Sequence, residues 1–445
     1  MLARSSLSRA TTQCLRTAPR YSRTIAAAAG PNPFQFEVSD AQGIKIASRD
    51  DGAPTTSLAL VVRGGSRYEA APGLAHALQQ FTWKNTDKRS ALRVQRESEL
   101  LGGKIGSSVS RENVVLKAQF LRQDLPYFVE AMADVLTSTR FQHYVFSEEV
   151  APTMQFDLKK LIASPSRLAL EHAFGAAFHR GLGASLLATS NKYVNPGSIA
   201  QYASQVYNKS NIALVASGAP HAELNKWTIE FFGDLKTGSK ASSPSTKYFG
   251  GEARVSSAAG SSYIIAFPGT PSPNFKAEYK VLTHLLGGET AVKWNAGFSL
   301  LSRAVAGFPG VSAVAKQQHF TDAGLLYITV EGPDALLEKA GQAVVKAIND
   351  VTKVSEEEVK KAIAQAKFDV LSEVEDRSVG LELVGQSLIQ NGTAPQANVV
   401  VRAIEAVTAD SVKKAASNIL RGKATYAAVG DCHVLPFAED LGLKI

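Results

Sequence analysis

The chain is poor in cysteine and has no long apolar runs. Among its 445 residues only Cys14 and Cys432 are cysteines, and they lie near opposite ends. This spacing excludes a disulfide framework and a cysteine-based metal site. No stretch reaches the roughly 18 to 20 apolar residues that a membrane-spanning helix requires, since runs such as Ser57–Val62 stop at a charge, here Arg63. The sequence therefore predicts a globular body that would reach a membrane only through partner proteins.

Acidic residues are missing from the N-terminus, where the first one is Glu37. The same stretch contains five arginines: Arg4, Arg9, Arg16, Arg20, Arg23. A basic leader without acids is typical of a mitochondrial transit peptide, which we predict over residues 1–35; a disordered basic tail is the alternative. Without these five charges the formal net charge falls from +8 to +3, so the body lacks the basic character that binding to nucleic acid requires.

The remaining chain divides near its middle. Thr237–Thr246 is rich in serine and has no apolar periodicity, which predicts a linker over residues 237–250 between domains at 36–236 and 251–445. The two parts resemble each other, because Phe156-Asp157 recurs as Phe368-Asp369 after a similar run of acidic residues. Such a recurrence indicates two tandem copies of one fold.

Strand and helix patterns alternate within each copy. Leu58–Val62 and Val114–Phe120 are short β-rich runs, and apolar residues recur at helical spacing after Asp124, which we expect to cap that helix. Ser147 and Ser355, each followed by acidic residues, are expected to start further helices, with Ser355 and Glu358 forming a capping box. The predicted fold class is α+β.

The segment Gly73–Phe81 follows a Pro-Gly pair and predicts a helix. It resembles the zinc-binding helix of the pitrilysin or insulinase family of metallopeptidases, which carries the inverted motif His-x-x-Glu-His. The resemblance covers essentially the whole chain after the leader and includes further segments in matching order: Leu100–Lys104, Ser110–Val114, Asp124–Pro126 and Leu285–Gly288. It implies two homologous pitrilysin-like domains, each a sheet packed with helices, in a clam-shell arrangement.

The motif itself is incomplete. In the family, two histidines four residues apart bind zinc, and the glutamate accepts a proton from the metal-bound water. This chain keeps His76 but has Gln79 in place of the base and Gln80 in place of the second ligand. An amide cannot accept a proton near neutral pH and binds zinc poorly. By resemblance the third ligand, a glutamate, corresponds to Asp157. We therefore predict degenerate remnants: no catalytic residue, no metal, no cofactor and no enzymatic activity.

The resemblance leaves two inactive groups of this family open: the α subunits of mitochondrial processing peptidases, and the core subunits of ubiquinol–cytochrome c reductase, respiratory complex III. The first have a glycine-rich loop in the second half, whereas here Gly287-Gly288 is followed by Glu289–Asn295, without a glycine cluster and with the bulky Trp294. The resemblance to the core subunits implies a non-catalytic, structural role. It implies pairing with core protein 1 and other complex III subunits on the matrix side of the inner membrane. The cavity between the two core subunits could hold a presequence peptide.

Overall fold

The computed structural model describes residues 35–272, 276–288, 297–376 and 380–445 of the chain. The predicted leader, up to residue 34, and the tract Glu289–Asn295 lie outside the described residues. The described residues belong to one compact unit. We refer below to residues 36–236 as the first half and to residues 251–445 as the second half.

In the described residues, the first half contains a six-stranded sheet. Its strands are β1 Glu37–Ala41, β2 Ile44–Arg49, β3 Thr55–Val62, β4 Lys104–Val109, β5 Val114–Leu121 and β6 Ile212–Ser217. The spatial order is β1-β2-β6-β3-β5-β4, which makes β4 an edge strand. The last strand, β6, pairs parallel with β2 and antiparallel with β3.

The second half repeats this arrangement with five strands in the described residues. They are β7 Gly251–Ser256, β8 Ser261–Pro268, β9 Ser312–His319, β10 Gly324–Gly332 and β11 Thr425–Gly430. Their order is β7-β11-β8-β10-β9, and β11 again pairs parallel with one neighbour and antiparallel with the other. This order matches β2-β6-β3-β5-β4 strand for strand. The predicted α+β fold with two tandem homologous domains is therefore confirmed.

Helices fill the connections between these strands. Those of the first half are α1 Leu74–Phe81, α2 Ala91–Leu100, α3 Leu125–Ser138, α4 His143–Val145, α5 Ala151–Ile162, α6 Pro165–Phe178, α7 Pro196–Val206 and α8 His221–Phe232. Those described in the second half are α9 Ala277–Leu286, α10 Leu300–Val305, α11 Asp334–Asp350, α12 Glu356–Glu375, α13 Leu381–Asn391, α14 Ala397–Glu405 and α15 Ala409–Arg421.

Of the three predicted helix starts, the one at Ser355 is confirmed, the one at Asp124 lacks its predicted cap and the one at Ser147 is wrong. Asp124 precedes α3 but its side chain makes no capping hydrogen bond. Ser147 starts no helix, because α4 continues through a π-helical turn at residues 146–150 into α5, and the Ser147 hydroxyl donates back to the carbonyl of Tyr144. Ser355 accepts a hydrogen bond from the N–H of Glu358, whose carboxylate accepts one from the N–H of Ser355, which is the predicted capping box.

The central strands of each sheet are buried on both faces. Side chains alternate between the faces of a strand, so in β3 Leu58 and Leu60 face the main core of the first half, while Ala59 and Val61 face the other side. In the second half, Ile265 of β8 faces the main core, while its neighbours Ile264 and Ala266 are buried on the opposite face of the sheet. Double-sided burial explains why these strands are continuous apolar runs rather than alternating ones.

One helix of each half covers the outer sheet face of the other half. α6, from the first half, packs on β8 and β11 of the second sheet with a stripe of small residues, Ala169, Ala173 and Ala177. α13, from the second half, packs on β2, β3 and β6 of the first sheet, where Gly385 lies against Val61. We call α6 and α13 the exchanged helices. Because each main sheet needs the other half to cover it, the halves share their apolar cores.

Residues 237–250 contain neither helix nor strand and connect the two halves. The segment makes specific contacts: the Lys240 ammonium donates to the carbonyl of Ile389, and the N–H of Ala241 donates to the side-chain oxygen of Asn211. The boundaries that the sequence predicts at residues 236 and 251 remain a prediction.

Replacing Gly385 by alanine tests how closely α13 approaches the first sheet. A Cβ atom at this position would lie 2.4 Å from Cγ2 of Val61, on a β-branched side chain in a packed face. We expect Gly385→Ala to lower the free energy of unfolding by about 1–3 kcal/mol, measured by denaturant titration.

Gly175→Ala on the other exchanged helix is the matched control. Its new Cβ would meet only the carbonyl oxygen of Gly183, at an ordinary 3.8 Å. Because alanine favours a helix more than glycine does, this variant should be neutral or more stable by up to about 1 kcal/mol. Equal effects of the two substitutions would contradict the packing described here.

Candidate functional site

The predicted motif lies on α1, whose first turn is capped by a half-buried carboxylate. Gly73 precedes the helix with φ of 92°, a conformation that favours glycine. The Glu69 carboxylate accepts hydrogen bonds from the N–H groups of Gly73 and Ala75 at 3.1 and 3.0 Å. These bonds satisfy donors that the first helical turn leaves free. The apolar face of α1, including Leu78 and Phe81, packs in the main core of the first half.

His76 is buried between two partners and only 1% exposed. Its Nδ1 accepts a hydrogen bond from the N–H of Ala188, and its Nε2 lies 3.3 Å from Oδ2 of Asp157 on α5. Since Nδ1 accepts, Nε2 must carry the proton and donate it to the carboxylate. Burial lowers the pKa of His76, although Asp157 opposes the shift, so this neutral tautomer is favoured.

Gln80 contacts the same carboxylate oxygen. Its Nε2 donates to Oδ2 of Asp157 at 2.8 Å. The two residues four apart on α1 therefore share one acceptor, because positions i and i+4 lie on one helix face. The structure brings together three of the four predicted remnants, His76, Gln80 and Asp157, and the contacts fasten α1 to α5.

Gln79 points elsewhere. Its Nε2 donates to the hydroxyl of Ser107 at 2.7 Å and lies 3.3 Å from the carbonyl oxygen of that residue. Ser107 belongs to the edge strand β4, so Gln79, which we predict to stand in place of the family's base, fastens the helix to the sheet edge. The Nε2 group of Gln79 can only donate hydrogen bonds, so it cannot take a proton from a water molecule.

The family implies a zinc ion, and the donor set decides whether this site suits one. Zinc in peptidases binds deprotonated histidine nitrogens and a carboxylate. Here the Nε2 atom of His76 and the amide nitrogen of Gln80 both donate to Asp157, so that carboxylate is already satisfied by hydrogen bonds. The site also contains one imidazole, where the zinc site of the family has two. Within the described ranges, no group of three or more histidine, cysteine, aspartate or glutamate residues could hold a metal ion. These residues do not fit zinc.

The second half contains a counterpart that the sequence analysis missed. Lys280 and His284, also four residues apart, lie on α9 and both contact Asp369 on α12. The Lys280 ammonium donates to that carboxylate, and Nε2 of His284 lies 3.3 Å from it. Burial, with a contribution from Lys280, lowers the pKa of His284. The repeat of Phe156-Asp157 as Phe368-Asp369 was the signal that could have located this pair.

Glu69 also had no predicted role, although its environment is unusual. Burial raises the pKa of its carboxyl from 4.5 to about 7, and the hydrogen bonds from Gly73, Ala75 and Leu74 only partly oppose that shift. A single glutamate in a loop gives no sequence signal for such burial. The Glu69 carboxylate stabilises the first turn of α1, the helix that carries His76, Gln79 and Gln80.

Glu69→Gln is expected to change how stability depends on pH. A carboxyl whose pKa is higher in the folded than in the unfolded protein binds more protons when folded, so stability falls as pH rises from about 4.5 to about 7. The glutamine side chain of the variant does not titrate, so the variant does not lose this stability as pH rises. Denaturant titrations should therefore show the variant gaining on the wild type by roughly 1–3 kcal/mol between pH 5 and pH 7.5. If the difference in unfolding free energy between the variant and the wild type stays constant with pH, the burial of this carboxylate is contradicted.

Comparison with known families and proteins agrees with this geometry. The model of the family described as Insulinase (Peptidase family M16) matches residues 45–190, and the model described as Peptidase M16 inactive domain matches residues 193–366. The first range contains His76, Gln79, Gln80 and Asp157. Together the two ranges cover more than half of the chain.

Similar proteins extend this match over nearly all of the sequence. Cytochrome b-c1 complex subunit 2, mitochondrial, from Neurospora crassa is 43% identical over 456 residues and covers 100% of both chains. The protein of the same name from Cryptococcus neoformans is 38% identical over 91% of this chain and 94% of its own. Mitochondrial-processing peptidase subunit alpha from Solanum tuberosum is 27% identical over 89% of this chain and 82% of its own. The resemblance inferred from α1 is confirmed, and the chain belongs to the insulinase family of peptidases, family M16.

Proposed function

We propose that this chain is a non-catalytic core subunit of mitochondrial ubiquinol–cytochrome c reductase, respiratory complex III, which supports the assembly and stability of that complex. The observation that carries the proposal is the full-length identity of 43% to a protein named as subunit 2 of the cytochrome b-c1 complex. Relatives of the same name at 30–38% identity span about nine-tenths of the chain.

The chemistry of α1 supports a role without catalysis. Gln79 cannot accept a proton from water, and its amide is held by Ser107 on β4. Gln80 offers no imidazole nitrogen, and its amide is held by Asp157. The substituted side chains therefore act as structural contacts between α1, α5 and the sheet. The same positions that would perform hydrolysis now stabilise the fold.

The α subunit of the mitochondrial processing peptidase is the second candidate. Proteins of that name are 26–27% identical to this chain, below the 30–43% of the complex III subunits. The tract Glu289–Asn295, in which this sequence has no glycine cluster, also favours the complex III subunit, although it lies outside the described residues.

Partners and location follow from the same proposal. The chain would pair with core protein 1 and contact other complex III subunits, peripherally on the matrix side of the mitochondrial inner membrane, after import through the leader at residues 1–35. None of the described helices is long and apolar enough to cross a membrane. A presequence peptide could occupy the cavity between the two core subunits.

Purification of the native complex tests the proposal. The full chain with a cleavable C-terminal tag, isolated from mitochondria in mild detergent, is expected to co-purify with cytochrome b and cytochrome c1. Mass spectrometry identifies the partners, and an untagged strain is the control. Co-purification with a peptidase that carries an intact His-x-x-Glu-His motif, without respiratory subunits, would instead establish the processing-peptidase role.

Metal analysis tests the loss of the zinc site. The wild-type chain should contain fewer than about 0.1 zinc ions per molecule, whereas the variant Gln79→Glu, Gln80→His and Asp157→Glu should bind about one, because it restores the family's donor set. Adding His76→Ala to that variant should remove the zinc again. Stoichiometric zinc in the wild type, lost on His76→Ala alone, would overturn the assignment of these residues as remnants.

A further inference from the structure

A buried arginine of the first half forms one ion pair within that half and one across to the second half. Arg67, which follows β3, has a side chain only 5% exposed. Its Nη1 lies 2.8 Å from a carboxylate oxygen of Glu112. The guanidinium also pairs with Asp322, with Nη1 at 2.7 Å from Oδ1 and Nη2 at 2.7 Å from Oδ2. Its Nε donates to the hydroxyl of Ser243 at 2.6 Å. The guanidinium thus joins the β4–β5 hairpin, the β9–β10 turn and the connection between the halves.

Glu112 is held from both halves as well, and its side chain is only 3% exposed. Both of its carboxylate oxygens lie 3.1 Å from the N–H of Thr321 in the second half. The amide of Gln386, on the exchanged helix α13, donates to it at 2.5 Å. Asp322 accepts two hydrogen bonds from Thr246, in the connection. We call Arg67, Glu112 and Asp322 the clasp.

The position of the clasp matters more than its net electrostatic energy. A buried ion pair is offset by the cost of removing both charges from water, but deleting one member leaves an uncompensated buried charge. If the halves separate, Arg67 loses its pair with Asp322, and Glu112 loses its contacts with Thr321 and Gln386. Separation therefore exposes the apolar outer faces of both sheets and also deprives Asp322 of its countercharge.

We propose that the two halves of this chain form one cooperative folding unit, closed by the clasp and by the exchanged helices, so that residues 237–250 are not required to hold the folded halves together. Each half lacks a complete core of its own, because α6 and α13 cover the sheet of the opposite half. The halves consequently fold and unfold together. This inference does not depend on the proposed role in complex III.

Cutting the connection in the folded chain tests the proposal directly. A recognition sequence for a site-specific protease is inserted between Pro244 and Ser245, both exposed, and the purified full chain is cleaved. The two fragments are expected to elute together in size-exclusion chromatography and to unfold in a single thermal transition. Separation of the fragments at native pH and moderate salt, or two resolved transitions, would overturn the proposal.

Variants of the clasp test its part separately. In the uncut chain, Arg67→Met and Asp322→Asn should each lower the melting temperature by on the order of 5 °C, and the double variant should lose clearly less than the sum. In the cut chain either variant should cause the fragments to separate at a lower denaturant concentration than in the wild type.

The exposed pair Arg140 and Asp87, whose side chains are 51% and 64% exposed, provides the control. Arg140→Met with Asp87→Asn should change the melting temperature by no more than about 1 °C, because exposed pairs contribute little. Additive effects at Arg67 and Asp322, or unchanged association of the cut variants, would show that the clasp does not close the halves.

Discussion

The packing of one helix from each half on the sheet of the other half is the constraint on which the rest of this structure depends. The central strands of each sheet are apolar on both faces, and their outer face is covered only when the opposite half supplies α6 or α13. Small residues make this possible, because the alanine stripe of α6 and Gly385 of α13 let the helix backbones approach the strands closely. A polar junction then forms where the halves meet.

The side chains that we predict to be remnants on α1 act as structural contacts in this fold. His76 and Gln80 share the carboxylate of Asp157, while Gln79 holds the edge strand through Ser107. Amide donors satisfy the carboxylate through hydrogen bonds in a partly buried place where an unpaired charge would be costly. These hydrogen bonds hold α1 against α5 and against the edge strand β4.

The second half uses the same geometry with different residues. Lys280 and His284 contact Asp369 from positions i and i+4, as His76 and Gln80 contact Asp157. In one half a neutral amide satisfies the carboxylate, and in the other an ammonium does so. The repeated fold therefore retains a carboxylate, on α5 in one half and on α12 in the other, that accepts from positions i and i+4 of α1 or α9.

The sequence by itself determined the family, the tandem repeat, the apolar strands and the capping box at Ser355, because each depends on local residue chemistry. It was wrong about Ser147, since the helix continues through that residue, and about the cap at Asp124. Only the tertiary structure decided the exchange of helices, the burial of Glu69 and the clasp around Arg67. These features join residues far apart in the chain, and local periodicity and composition carry no information about which distant surfaces meet.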